Sequence, residues 1–249
     1  MIEAQAPFIA FDGEATGLNI GPIVKGKPSQ AFEFTLALLN PETWEVEDVL
    51  FQRCQYHPKW YEWEESAEPI HGTPKEALNK EPSMIDAGAK VMLWLRNHTP
   101  KGMKFPRPQT LSHNGVTDHA WLEHWFNRAG YEKGKDWDFH HRRIDAYTMC
   151  AMHLGFGNSH EQFVLMNYPR GAHSSLEDVL VMVHACKLAK WDFSEIRAAN
   201  PTFKTKDIIR HKAAHEPDFA EALEAERAAL IKDIRKFKHL DPSLVDKEV

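Results

Sequence analysis

The chain has 249 residues, 30 Lys and Arg against 36 Asp and Glu, a formal net charge of −6, and 43% hydrophobic with 27% charged residues. This is the balance of an ordinary globular protein, and it excludes a disordered tail, a collagen-like rod or a coiled coil as the main architecture. Net acidity speaks against broad electrostatic binding of nucleic acid, but not against carboxylates that face phosphates through bound cations.

Phe8-Ile9-Ala10-Phe11 is too short for a helix and reads as a buried strand running into Asp12-Gly13-Glu14. A basic, Gly- and Pro-containing stretch from Gly21 to Pro28 follows, then a second strand from Phe32 to Leu39, a turn at Asn40-Pro41-Glu42-Thr43, and a third strand within Trp44 to Gln52. The opening is therefore an antiparallel meander. From Pro82-Ser83 the pattern turns helical, with Ile85, Ala89, Met92 and Leu95 on one face. Gln109 to Ser112 is a short strand, leading into a helix that carries Trp121, Leu122, Trp125, Phe126 and Ala129. A strand is expected within Trp137 to Ile144, a helix over Ala146 to Leu154, and another from near Ser174 with Leu176, Val179, Leu180 and Val183 on its apolar face. Strands first in a meander, then alternating with helices, indicate a mixed α/β sheet.

Residues 1–195 read as one domain and 196–249 as a helical extension, where Phe219, Leu223, Leu230, Ile234 and Phe237 recur at helical spacing. That apolar stripe either packs back on the domain or binds a partner. No apolar run approaches the roughly 18–20 residues of a membrane span. MIEAQAPFIAF lacks the features of a secretory signal, and Cys54, Cys150 and Cys186 form neither a disulfide framework nor a zinc pair. No membrane association and a cytoplasmic location are expected.

Three fragments carry carboxylates in a pattern that suggests chemistry. In an extended strand Asp12 and Glu14 share a face, and two like charges so close call for a cation between them, unless the fragment is merely a strand-end turn. Ser112-His113-Asn114-Gly115-Val116-Thr117-Asp118 runs from a strand into a helix, where Asp118 fits either a helix N-cap or a third acid at the same edge. His173-Ser174-Ser175-Leu176-Glu177-Asp178 opens another helix. Ser175 and Asp178 match a capping box, yet the same turn also sets a histidine beside a carboxylate.

Taken in order, these fragments resemble the three motifs of the DnaQ-like 3′–5′ exonucleases, in the branch named DEDDh for its four acids and histidine. Phe-Asp-Gly-Glu-Ala-Thr-Gly-Leu (11–18) is similar to the first, His113-Asn114 through Asp118 with Trp121-Leu122 to the second, and His173 to Asp178 to the third. Ile70-His71-Gly72-Thr73 and Arg143-Ile144-Asp145 resemble segments found between them, and the likeness spans about residues 7–190. It implies an RNase H-like mixed five-stranded sheet, an antiparallel meander followed by parallel strands, flanked by helices. It also implies two Mg²⁺ or Mn²⁺ ions held by Asp12, Glu14, Asp118 and Asp178, with His173 as general base. Ala15, Thr16, Gly17 and Leu18, with His71 and Asn114, would line the site of the terminal nucleotide. The implied activity is release of nucleoside 5′-monophosphates from 3′ ends of single-stranded nucleic acid, DNA favoured. The alternatives are an oligoribonuclease-like exoribonuclease or a proofreading subunit that docks to a polymerase, or to a second copy, through residues 200–249. The chain departs from the family pattern at Gly13, Ala15 and Thr117, and in the loops at 20–30 and 98–108.

Overall fold

The computed structural model describes residues 6–17, 27–113, 115–141, 143–156, 158–171 and 173–245. Leu18 and Asn114, and most of the loop at 20–30, lie outside the described residues. One five-stranded sheet forms the centre, from β1 (Phe8–Ala15), β2 (Ala31–Leu39), β3 (Val46–Arg53), β4 (Gln109–Ser112) and β5 (Arg143–Asp145). Its spatial order is β3-β2-β1-β4-β5. β1, β2 and β3 pair antiparallel, as two hairpin-like steps allow, while β4 and β5 join β1 in parallel through helical crossovers. This is the mixed α/β sheet that the sequence led us to expect.

Both faces of the sheet are covered. Phe11, Phe34, Leu36 and Ile9 pack beneath α2 (Met84–Asn97) and α3 (Gly115–Arg128), whose Val91, Trp121, Trp125 and Phe126 complete an aromatic-rich layer. On the other face Phe8, Ala10, Ala37 and Leu39 pack beneath α6 (Ser175–Lys187), with α4 (Ala146–Leu154) and α5 (Ser159–Met166) beside it. A four-residue helix, α1 (Glu68–His71), closes on Gly72, which takes the left-handed conformation (φ 67°) that such a helix end favours.

Several boundaries differ from the sequence reading. β1 continues through Asp12 and Glu14 to Ala15, so the two acids belong to the strand and not to a turn after it. The buried stripe of α2 is Met84, Ala87, Val91, Met92 and Leu95, and Ile85 is exposed, because the face turned to the core runs through Met84, Ala87 and Val91. β5 is only three residues long, while Trp137 and Phe139 enter the core from irregular backbone. α3 starts at Gly115, which puts Asp118 in its first turn instead of at its cap.

Residues 194–240 are helical, as α7 (Ser194–Ala199), α8 (Thr205–His215), α9 (Pro217–Phe237) and one closing 3₁₀ turn. Phe219, Leu223, Leu230, Ile234 and Phe237 are all buried, in the same cluster as the inner face of α6. The stripe therefore packs back on the chain. His184 of α6 lies between two carboxylates of α9, with Nδ1 2.7 Å from Glu226 and Nε2 3.1 Å from Asp233. Among the described residues no helix is long and apolar enough to cross a membrane.

Candidate active site

Alternation along β1 decides where its acids point. Phe8 and Ala10 face α6, so Asp12 and Glu14 continue that row at the C-terminal end of the strand. Opposite them on β2 stand Thr35 and Glu33. The crossover after β4 delivers Asp118 on the first turn of α3, and the loop before α6 delivers His173, with Asp178 one turn into the helix. Asp12, Glu14, Asp118, His173 and Asp178 line one cavity of about 370 Å³. Three segments far apart in sequence thus bring their acids to one place. One donor atom each from Glu14, His173 and Asp178 lies within 4.8 Å of the other two.

The electrostatics of this cavity are unbalanced. Burial, then the charges of Asp118, Asp178 and Glu14, hold the Asp12 carboxyl well above its usual range. Burial and Asp178 do the same to Glu14, against a smaller pull from Arg170. Asp178 is pushed up to about 7, chiefly by burial, although Arg170 draws it down. Arg170 reaches both Asp178 Oδ1, at 3.5 Å, and His173 Nδ1, at 3.1 Å. A guanidinium can only donate, so Nδ1 of His173 is an acceptor there. Burial, with Arg170 behind it, lowers His173 to about 4, and the ring is neutral at pH 7. The His173 backbone N–H donates to the Ile70 carbonyl at 2.8 Å, which ties this loop to α1.

The remaining residues expected here are distributed unevenly. Ala15, Gly17 and His71 line the cavity. Gly17 is packed against the Glu64 carboxylate so closely that any Cβ would collide with it. His71 Nδ1 accepts from the Thr73 N–H at 3.1 Å, while the ring meets Phe32 and Trp63 edge-on. Burial, then Arg53 and His173, lowers it to about 4, so its buried Nε2 carries the proton and has no partner among the described residues. Thr16 turns away from the cavity. Its buried hydroxyl donates to the Glu62 carbonyl at 2.6 Å and accepts from the Gln30 N–H at 2.8 Å. Leu18 and Asn114 belong to the undescribed residues.

Sequence reasoning missed Glu64 and Gln162, which also line the cavity, and Glu33 behind Glu14. None stands in a motif: the strand register brings in Glu33, the placement of α5 brings in Gln162, and the bond from the Glu64 N–H to the Thr16 carbonyl brings in Glu64. The departure at Gly13 has a steric reason: a Cβ there would meet the Phe34 ring at 2.5 Å. Lys101 and Lys104 of the 98–108 loop line a separate concavity with Arg96 and Lys135.

No protein-family model matches the chain, and no curated protein sequence matches it. Solved structures do. An exonuclease I whose structure was described as suggesting how processivity is achieved aligns at TM-score 0.54 with 14% identity, over 85% of this chain and 44% of that one. E. coli exonuclease I in complex with a dT13 oligonucleotide aligns at 0.56 with 16% identity, over 78% of this chain and 43% of that one. The nuclease domain of 3′hExo, a DEDDh family member bound to rAMP, aligns at 0.54 with 16% identity, over 74% of this chain and 92% of that one. The chain spans less than half the length of the exonuclease I structures and nearly all of the 3′hExo domain. What it shares with them is the fold, a mixed five-stranded sheet flanked by helices.

Proposed function

We propose that the chain is a metal-dependent 3′–5′ exonuclease that hydrolyses phosphodiester bonds at the 3′ end of single-stranded nucleic acid, DNA favoured, and releases nucleoside 5′-monophosphates. One observation carries this reading: four carboxylates and a neutral histidine from three separate segments share one cavity, at the strand end where open α/β sheets bind their ligands.

The donor set suits hard divalent cations. Asp12, Glu14, Asp118 and Asp178 are oxygen ligands that repel one another without a counter-charge, and they would hold Mg²⁺ or Mn²⁺. When bound, a pair of such ions neutralises the phosphodiester and makes a nucleophile from water at neutral pH. The chain's own part is to hold the acids together and to receive a proton. His173 is neutral at pH 7 with its lone pair on Nδ1, which accepts from Arg170, so it takes the proton as that Arg170 N–H withdraws. Asp178 Oδ2, 3.7 Å from Nδ1, then steadies the imidazolium. His71 offers its buried Nε2–H to an acceptor on the terminal nucleotide, and the exposed Ile70 beside it gives a base an apolar surface.

RNA is the second reading. The domain that this chain matches over nearly its full length is the one bound to rAMP. The polymerase or homodimer reading has less support, since the apolar stripe of α9 is already buried. The deciding experiment is cleavage of 5′-labelled single-stranded DNA and RNA of one sequence, with Mg²⁺ or Mn²⁺, beside Asp12→Ala. A ladder shortening from the 3′ end and absent in the variant supports the reading, and the faster substrate gives the sugar preference. Intact substrate with both metals overturns it.

A further inference from the structure

We propose that Asp241, in the segment after α9, is a positioning residue for the active site and acts through Ser174 on the start of α6. The inference rests on the exonuclease reading, but its physical basis is separate from the acids themselves.

Asp241 is completely buried, as is Ser175, and Glu33, Ser174 and Arg53 are nearly so. Ser174 Oγ donates to Asp241 Oδ2 at 2.6 Å. Arg53 Nη2 reaches Asp241 Oδ1 at 3.3 Å, while its Nε donates to Glu33 Oε2 at 2.7 Å. Glu33 Oε1 in turn accepts from both the backbone N–H of Ser175, at 3.0 Å, and its hydroxyl, at 2.7 Å. Ser243 closes the far side, donating its N–H at 2.9 Å and its Oγ at 2.8 Å to Asp241 Oδ1.

The consequence lies in what α6 lacks. Helices beginning in Ser, Thr or Asp ordinarily satisfy their first amides with that residue's own side chain. Ser174 is the N-cap of α6 and makes no such bond, because its hydroxyl is engaged by Asp241. The first amide of the helix is satisfied from the sheet instead, by Glu33, 142 residues away in sequence. The start of α6 is thus located by two buried carboxylates joined through one guanidinium. His173 immediately precedes Ser174 and Asp178 follows one turn later, so both candidate active-site groups on this segment take their position from the network. A displacement of about 1 Å at reacting groups is enough to slow an enzyme 100-fold, which makes such a mooring consequential.

The test compares Asp241→Ala, Asp241→Asn and Ser174→Ala with Ser243→Ala, which removes a bond to the same carboxylate without touching α6. With the full-length protein and the faster of the two labelled substrates, Asp241→Ala and Ser174→Ala should each lower kcat about 10- to 100-fold. KM should stay within about twofold, Asp241→Asn should retain part of the rate, and the double variant should be no slower than the worse single one. Ser243→Ala should be close to wild type. If Ser174→Ala, the milder change, keeps the wild-type kcat while folded, the proposal is overturned. Wild-type protein that cleaves nothing refutes the exonuclease reading, and the positioning claim is then read by ¹H–¹³C NMR of the histidine rings. There the His173 resonance, assigned with His173→Gln, should move in Ser174→Ala and not in Ser243→Ala; a stationary resonance overturns the claim.

Discussion

The two ends of α6 hold buried charge in opposite ways. At its start Asp178 shares a cavity with Asp12, Glu14 and Asp118, and burial with mutual repulsion lifts the carboxyls of Asp12 and Glu14. About 9 Å further along, at the helical rise of ~1.5 Å per residue, His184 sits between Glu226 and Asp233. Both ring nitrogens face carboxylates, so both must donate and the ring is an imidazolium. Burial alone would lower its pKa, but the bonds to Asp233 and Glu226 outweigh it and the value is raised. Lys187, 3.0 Å from Glu226, adds a second cation. Where the chain supplies its own counter-charge, the cluster is a clamp between α6 and α9. Where like charges outnumber the nearby Arg170, the excess is what makes the cavity a candidate cation site.

The largest expected effect is at the unbalanced end. Asp12→Asn should lower cleavage by on the order of 1000-fold or more, since metal-held carboxylates stabilise several kcal/mol of transition-state charge. The same cavity predicts a pH dependence of stability. Asp178 has an ordinary pKa of 3.8 and a folded value of about 7, so between those limits the folded chain holds a proton that the unfolded chain has lost. Stability conferred by that proton is present at low pH and declines as pH rises towards about 7, the reverse of an ion-paired acid. His173 and His71, with folded values of about 4, pull the other way below about 6.5, so the contribution of Asp178 is read as a difference. The Tm of metal-free Asp178→Asn minus that of wild type should grow as pH rises across this window, and Mn²⁺ at pH 8 should raise the wild-type Tm. A difference that ignores pH, with a wild-type Tm that ignores Mn²⁺, would mean that the acidic end is as well compensated as the other.

His184→Gln tests the balanced end. Removing one partner from a buried ion pair costs about 3–5 kcal/mol. Because Glu226 and Asp233 are 18% and 15% exposed, about 2–4 kcal/mol is expected here. Urea unfolding should report that loss while cleavage per folded molecule is unchanged. The raised pKa makes this contribution complete below about 6.5 and lost as pH climbs through the folded value. Both ends of α6 therefore weaken with rising pH, one by gaining negative charge and the other by losing positive charge. Mn²⁺ separates them, since it should restore only the first.

How much of this was legible in sequence follows the range of the interactions. The sheet and its main helices follow from local periodicity, and the five residues that share the cavity from three short motifs that resemble those of a known family. Asp12 and Glu14 are two apart in a strand, so no folded structure is needed to set them on one face. The S-x-x-D spacing at 175–178 was misleading for a physical reason. It fits a capping box, but the Ser175 hydroxyl donates to Glu33, a residue no local pattern connects to it. Thr16 was assigned to the nucleotide by its motif, whereas its hydroxyl is satisfied within the backbone around Gln30 and Glu62. The amphipathic stripe of α9 was readable as apolar, but not what it packs on, because an apolar face is the same whether a partner or the chain's own α6 covers it. Buried pairs such as Arg53 with Glu33 leave no sequence signal, since each member alone looks like a surface charge.

The smallest effect sharpens the comparison within the balanced end. Lys187 and Glu226 are each 18% exposed, and Glu226 keeps His184 when the lysine is removed. Lys187→Met should then cost no more than about 1 kcal/mol, the scale of a solvent-accessible pair. Burial tends to raise the Glu226 carboxyl, but its bonds to His184 and Lys187 prevail and hold it below its usual range. Losing the lysine should therefore bring acid unfolding of the protein to a slightly higher pH, because protonation of Glu226 becomes easier. A loss as large as that of His184→Gln would show that the lysine and the histidine hold α9 as one unit. Their double variant would then be no less stable than either alone, whereas independent contributions would add.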